Sequence, residues 1–297
     1  GLNILNGLNV LNMFYLLQLL NSVQYGLLLF LLSSGLTLIF GVMGVINLAH
    51  GSFYMVGAYL TYGLAKMTGS LWLAIPIGVI IAFAIGLLLE TTIIRQLYRR
   101  DHLYQVLLTF GLILIFEELR SIVFGDEVHG VAVPEILNYS IALTDTLAYP
   151  VYRLFVTAVC LTIAAILYFV IHKTRAGMMI RAGNSNREMA AALGVNIPLL
   201  FALVFACGMA LAAFAGAIAA PITSVAPGMG NQVLILCFVV VVIGGIGSIN
   251  GALIASLLIG LADTLGKVLA PEYSGVAVYL LMAAILLWRP QGLANRS

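Results

Sequence analysis

The stretch Lys173-Thr-Arg-Ala-Gly-Met-Met-Ile-Arg-Ala-Gly-Asn-Ser-Asn-Arg-Glu-Met-Ala-Ala-Ala-Leu-Gly-Val-Asn196 is a polar interval in an otherwise apolar chain. It carries Lys173, Arg175, Arg181 and Arg187, four of the 13 basic residues. From Met189 to Ala262 no Asp, Glu, Lys or Arg follows. A basic connector beside a long uncharged run reads as a cytoplasmic loop between membrane spans. It also holds the signature of a short helix. Ser185 and Glu188 fit a capping box, in which each side chain satisfies a free N–H of the first turn. Met189 and Leu193 then share a face, and Gly194 can close the C-terminus. A capped, partly apolar helix in such a loop is a docking element for a soluble partner.

The composition agrees. The chain is 63% hydrophobic and 8% charged, with a mean hydropathy of +1.13. A soluble domain of this length could not cover its surface with so few polar groups. Thirty glycines and long uncharged runs favour packed helices over a β-barrel, whose strands alternate polar and apolar. The expected fold is all-α, a polytopic transmembrane helical bundle in one domain. Cys160, Cys207 and Cys237 all sit in apolar runs, so neither a disulfide framework nor a metal site is expected. The first charged residue is Lys66, so the basic start of a signal peptide is missing. The Asn-rich first ten residues read as an interfacial lead-in.

Apolar segments fall near residues 14–41, 50–67, 71–92, 103–124, 150–171, 199–221, 231–247, 251–270 and 275–289. That makes about nine spans, some short for a hydrocarbon core of about 30 Å. Arg95, Arg99 and Arg100, the 173–187 run, and Arg289 with Arg296 mark cytoplasmic loops. The segment 125–150 carries Asp126, Glu127, Glu135 and Asp145 without Lys or Arg, and should face outward. Gly44-Val-Ile-Asn47 and Gly247-Ser-Ile-Asn250 echo one another, each after an apolar run.

Two motifs are candidates for a pathway. In Gly41-Val-Met-Gly-Val-Ile-Asn-Leu-Ala-His-Gly-Ser-Phe-Tyr54, Asn47 and His50 are polar residues at or near membrane depth, with Ser52 and Tyr54 beside them. An amide left unpaired there costs roughly 2–7 kcal/mol. Such residues face a wet cavity or a bundle interior, or they cap a helix break. Gly244-Gly-Ile-Gly-Ser-Ile-Asn-Gly251 lacks the Gly-Lys-Ser/Thr ending of a phosphate loop, so no nucleotide site is assigned. It reads as a tight turn, with Gly245, Gly247 and Asn250 as candidate pathway groups. Glu90 with Arg95 reads as an interfacial pair. Glu117 with Arg120 and Asp263 with Lys267 have helical pairing distance. No Ser-His-Asp, HExxH, GxSxG or CxxC set is present, which argues against an embedded enzyme.

Residues 46–59, Arg181 to Asn196 and Gly244 to Ala252 closely resemble three landmarks of LivH-type permeases, in the family's order. The resemblance spans nearly the whole chain. It implies an inner-membrane subunit of an ATP-binding cassette importer for branched-chain amino acids. The implied partners are a LivM-type permease, two cytoplasmic ATPase subunits that carry ATP and Mg, and a periplasmic substrate-binding protein. No nucleic acid partner and no cofactor or catalysis in this chain are implied; membrane lipid surrounds it. Urea, other neutral amino acids and aromatic acids remain alternative substrates, because the binding protein does most of the selecting. The coupling role would fall on Arg181, Ser185, Arg187, Glu188, Met189, Leu193 and Gly194. A stand-alone secondary transporter, the competing reading, would need a coupling carboxylate at mid-membrane.

Overall fold

Each apolar segment becomes a helix, because backbone groups in hydrocarbon must be satisfied within their own segment. The computed structural model describes residues 2–98, 100–142 and 147–294, apart from the side chains of residues 2–11 and Ser274. Arg99, Asp145 and Arg296 lie outside the described residues. The helices are α1 Leu2–Met43, α2 His50–Thr68, α3 Leu71–Thr92, α4 His102–Phe124, α5 Val151–Lys173, α6 Arg175–Ser185, α7 Arg187–Ala192, α8 Ile197–Thr223, α9 Met229–Gly244, α10 Ile249–Leu269 and α11 Ser274–Trp288. The Asn-rich lead-in is not a separate element, since α1 already starts at Leu2.

Nine of these helices occupy the nine apolar segments, as an all-α membrane bundle requires. Five are long and apolar enough to cross a membrane: Asn12–Met43 of α1, then α3, α5, α8 and α10. At 16 and 15 residues, α9 and α11 are shorter. A two-stranded antiparallel hairpin, β1 Ser140–Ala142 with β2 Ala148–Pro150, decorates the acidic connector.

The contacts sort the helix ends into two groups. At the basic end, the last turn of α1 meets the 245–248 turn and Arg187, and Leu293 N–H donates to the Ile243 carbonyl. At the acidic end, His129 and Val225 form an isolated β-bridge, and Tyr152 Oη donates to the Ile218 carbonyl at 3.0 Å. Helix α8 is the central post, packed on α1, α2 and α3. Its seam with α2 depends on missing side chains: a Cβ on Gly57 would overlap the Ala213 carbonyl, and one on Gly216 would overlap the Tyr54 carbonyl. Helix α1 also packs along α10.

Candidate functional site

The break between α1 and α2 is buried rather than interfacial. His50 Nε2 lies 2.9 Å from the Leu32 carbonyl. Leu32 stands eleven residues before the end of α1, about 16 Å along the axis at about 1.5 Å per residue. The connector 44–49 therefore runs back into the bundle, and α2 begins alongside α1 well before the end of that helix. Irregular backbone there is tolerated only when protein satisfies it. Gln105 of α4 does so for Ile46, its Oε1 accepting from the amide at 3.3 Å. Asn47 Oδ1 accepts from Ala49 N–H at 3.1 Å, and Asn47 Nδ2 points at Met209 Sδ, 3.9 Å away. Gly44 takes a positive φ of 64°, which lets the chain turn back.

Asn47 and His50 are both fully buried. Asn47 closes the turn before α2, and His50 ties the start of α2 to α1. Ser52, two residues on, is buried, and Tyr54 reaches a cavity described below. Thus the structure places Asn47 and His50 in packing that matches a buried cap. It does not bring them into the cavity that Tyr54 lines.

The 244–251 turn sits at the basic end. Gly245 and Gly247 adopt φ of 90° and 76°, which side chains resist. Gly247 packs against Gly41, where a Cβ on Gly41 would overlap the Gly247 backbone. Ser248 caps α10, its Oγ accepting from Gly251 N–H at 3.1 Å. Asn250 is exposed at the second position of α10.

Toward the acidic end, α1, α2, α5, α8, α9 and α10 line a cavity of about 590 Å³. Its lining is part polar, from Asn21, Gln24, Arg153, Thr223, Asp263 and Lys267, and part aliphatic, from Leu28, Leu29, Ile222, Val233 and Leu236. Arg153 Nη1 donates to Asn21 Oδ1 at 2.7 Å. Lys267 Nζ pairs with Asp263 Oδ2 at 2.6 Å and lies 5.4 Å from the Tyr25 ring centroid. The expected α10 pair is therefore formed.

The polar connector folds as two helices meeting at Asn186. Thr174 Oγ1 caps α6 by accepting from Gly177 N–H at 3.2 Å. Arg181 Nη1 donates to the Ile171 carbonyl. The expected Ser185–Glu188 capping box is displaced by one residue. Ser185 closes α6, and Asn186 caps α7 by accepting from Met189 N–H at 2.9 Å. The physical reason is that α6 continues through Ser185, so the first extended residue, with φ −155°, is Asn186. Glu188 stays in the first turn, where its charge suits the helix dipole. Gly194, at φ 88°, ends α7 as expected. Met178, Met189 and Leu193 are exposed.

Arg187 remains exposed, but its guanidinium reaches toward the bundle. Its Nη2 lies 3.5 Å from the Val42 carbonyl, and its guanidinium sits over the Phe201 ring at 5.2 Å. Phe201 meets Tyr98 edge-on at 5.2 Å. Tyr98 Oη donates to Glu90, which also pairs with Arg95 at 2.9 Å. Glu90 is fully buried rather than solvated at an interface. Burial first, and then the bond to Glu90, push the Tyr98 phenol well above its ordinary value, so it stays a donor. The hydrogen bond to Glu90 raises the Arg95 guanidinium further and keeps it charged.

The family model for the permease component of branched-chain amino acid transport systems matches residues 18–286. This chain belongs to that permease family. It is 31% identical to the high-affinity branched-chain amino acid transport permease LivH of Escherichia coli K12, over 96% of each chain. It is 29% identical to LivM of the same organism, over 89% of this chain and 67% of LivM. Among solved structures, PsaBC from Streptococcus pneumoniae shares the fold at a TM-score of 0.51 and 12% identity, covering 90% of this chain and 89% of that one.

In this permease, the short helix α7, the break between α1 and α2 and the paired charges were legible in the sequence. Gln105, whose only local signal is a lone amide in an apolar run, was not, nor was the meeting of Arg153 with Asn21 across 132 positions. Among the described residues no three His, Cys, Asp or Glu side chains converge as a metal site.

Proposed function

We propose that this permease is the LivH-type subunit of an ATP-driven importer of branched-chain amino acids in a bacterial inner membrane. It forms the pathway with a LivM-type permease. A periplasmic binding protein delivers substrate to the acidic end, and two ATPase subunits, carrying ATP and Mg, dock at the basic end. The chain itself carries no catalysis in this reading. The observation that carries the proposal is the exposed, capped α7, joined to the bundle through Arg187 and bearing Met189 and Leu193. An apolar face on a short helix outside the bundle offers an ATPase a surface, and Arg187 connects any push on it to α1 and α8. Gly245, Gly247 and Asn250 lie at this same end and are placed to move with it.

Reconstitution tests the proposal. Liposomes holding this chain, a LivM-type permease, the two ATPases and the binding protein should accumulate radiolabelled leucine only with ATP inside. Uptake that needs no ATPase would favour a stand-alone transporter. Stimulation by urea or benzoate but not leucine would reassign the substrate.

A further inference from the structure

We infer that the cavity at the acidic end is a receiving site for a zwitterion with an aliphatic side chain. Charges in a membrane bundle are costly and are kept where they pair or serve a pathway. Here two cations and one anion, from two helices, line a single cavity: Arg153 on α5, and Asp263 and Lys267 on α10. No other Asp, Glu, Lys or Arg occurs between Met189 and Lys267 apart from Asp263 itself. Arg153 is held by Asn21 and has further donors free of that bond. Asp263 and Lys267 are joined by a partly exposed pair, which is worth little in itself and opens at low cost.

This set complements both ends of an α-amino acid. Arg153 and Lys267 take the carboxylate, and Asp263 takes the ammonium. The aliphatic lining of Leu29, Val233 and Leu236 takes the side chain. A volume of about 590 Å³ holds such a molecule with water to spare. Small-ligand sites usually fall between roughly 300 and 1,000 Å³. Loose, hydrated contacts are what a site needs if its occupant must leave again. Tyr54 joins α2 to this cavity, four residues after His50. The site rests on the importer proposed above and adds where its substrate is first received.

The test uses the complete importer in liposomes, with uptake of radiolabelled leucine, binding-protein docking and basal ATPase read on the same preparation. Arg153→Met and Asp263→Asn should each lower initial uptake at least tenfold, with docking and basal ATPase retained. The exchange Asp263→Lys with Lys267→Asp keeps an ion pair on α10 but reverses its dipole, so uptake should stay at least tenfold down. Near-normal uptake in the single variants, or recovery in the exchange, would overturn the site. A diazirine analogue of leucine, photolysed on the wild-type complex, should label Val233 or Leu236. Labelling confined elsewhere overturns the site even if a variant fails to assemble. If the wild type itself takes up no leucine, the importer reading falls and the site with it. If the wild type transports and the variants match it, only the site falls.

Discussion

Arg187 and Phe201 join the external helix α7 to the membrane post α8 by a cation–π contact of 5.2 Å. The pair continues through Tyr98 to buried Glu90 and its exposed partner Arg95. On the coupling role proposed above, such a chain would pass displacement on without breaking a strong bond, because a cation–π contact at a partly exposed site is worth about 0.5–1 kcal/mol.

Arg187→Ala should lower leucine uptake by the reconstituted importer several-fold while ATPase turnover persists. Arg187→Lys should fall between, since a point cation keeps the charge but loses the planar stacking. Phe201→Leu should act alike, and the double variant should be no worse than the stronger single one. Additive losses would mean the two residues act independently.

Asn186→Ala should destabilise α7 by about 1 kcal/mol, the usual cost of losing an N-cap. Ser185→Ala should leave it within about 0.5 kcal/mol, the range of substitutions away from special features. Hydrogen exchange at Met189 to Ala192 separates the two. Faster exchange in the Ser185 variant would restore the capping-box register.

Gln105→Leu should strip the re-entrant connector of the acceptor for Ile46 N–H. An unsatisfied buried donor costs about 1–3 kcal/mol. Asn47→Leu should cost a similar amount through Ala49 N–H. Thermal unfolding in detergent measures both. Wild-type stability with lost transport in the Asn47 variant would instead favour the gate reading of that residue.

Asp126 is held below the ordinary carboxylate range by hydrogen bonds from Arg120 Nη1 at 2.7 Å and Ser121 Oγ at 3.0 Å. A depressed folded value means its stabilising effect is complete above the unfolded value and fades as pH falls through the folded one. Hydrogen exchange just after α4 should therefore quicken only as pH drops below about 4. Asp126→Asn should remove that acid-dependent step. A step of unchanged size in this variant would assign it to another group.

The nine apolar segments, the basic and acidic ends, and the glycine stop of α7 were all legible from sequence. Each follows from hydropathy, charge or backbone freedom acting within a few residues. The cap of α7 was misread by one position, because whether α6 continues past Gly183 depends on packing against α5 and α8. Other features arise only when distant helices meet. Gln105 supplies an acceptor 59 positions from Ile46, and Arg153 finds Asn21 across 132. The position of His50 follows from its contact with Leu32 of α1 and from the seam of α2 with α8, which no local pattern encodes. The cavity is lined by six helices whose order in the chain says nothing of their adjacency. Hydropathy tells each segment to enter the bilayer, but lipid is as apolar as leucine, so close packing at small residues and buried polar bonds decide which segments meet.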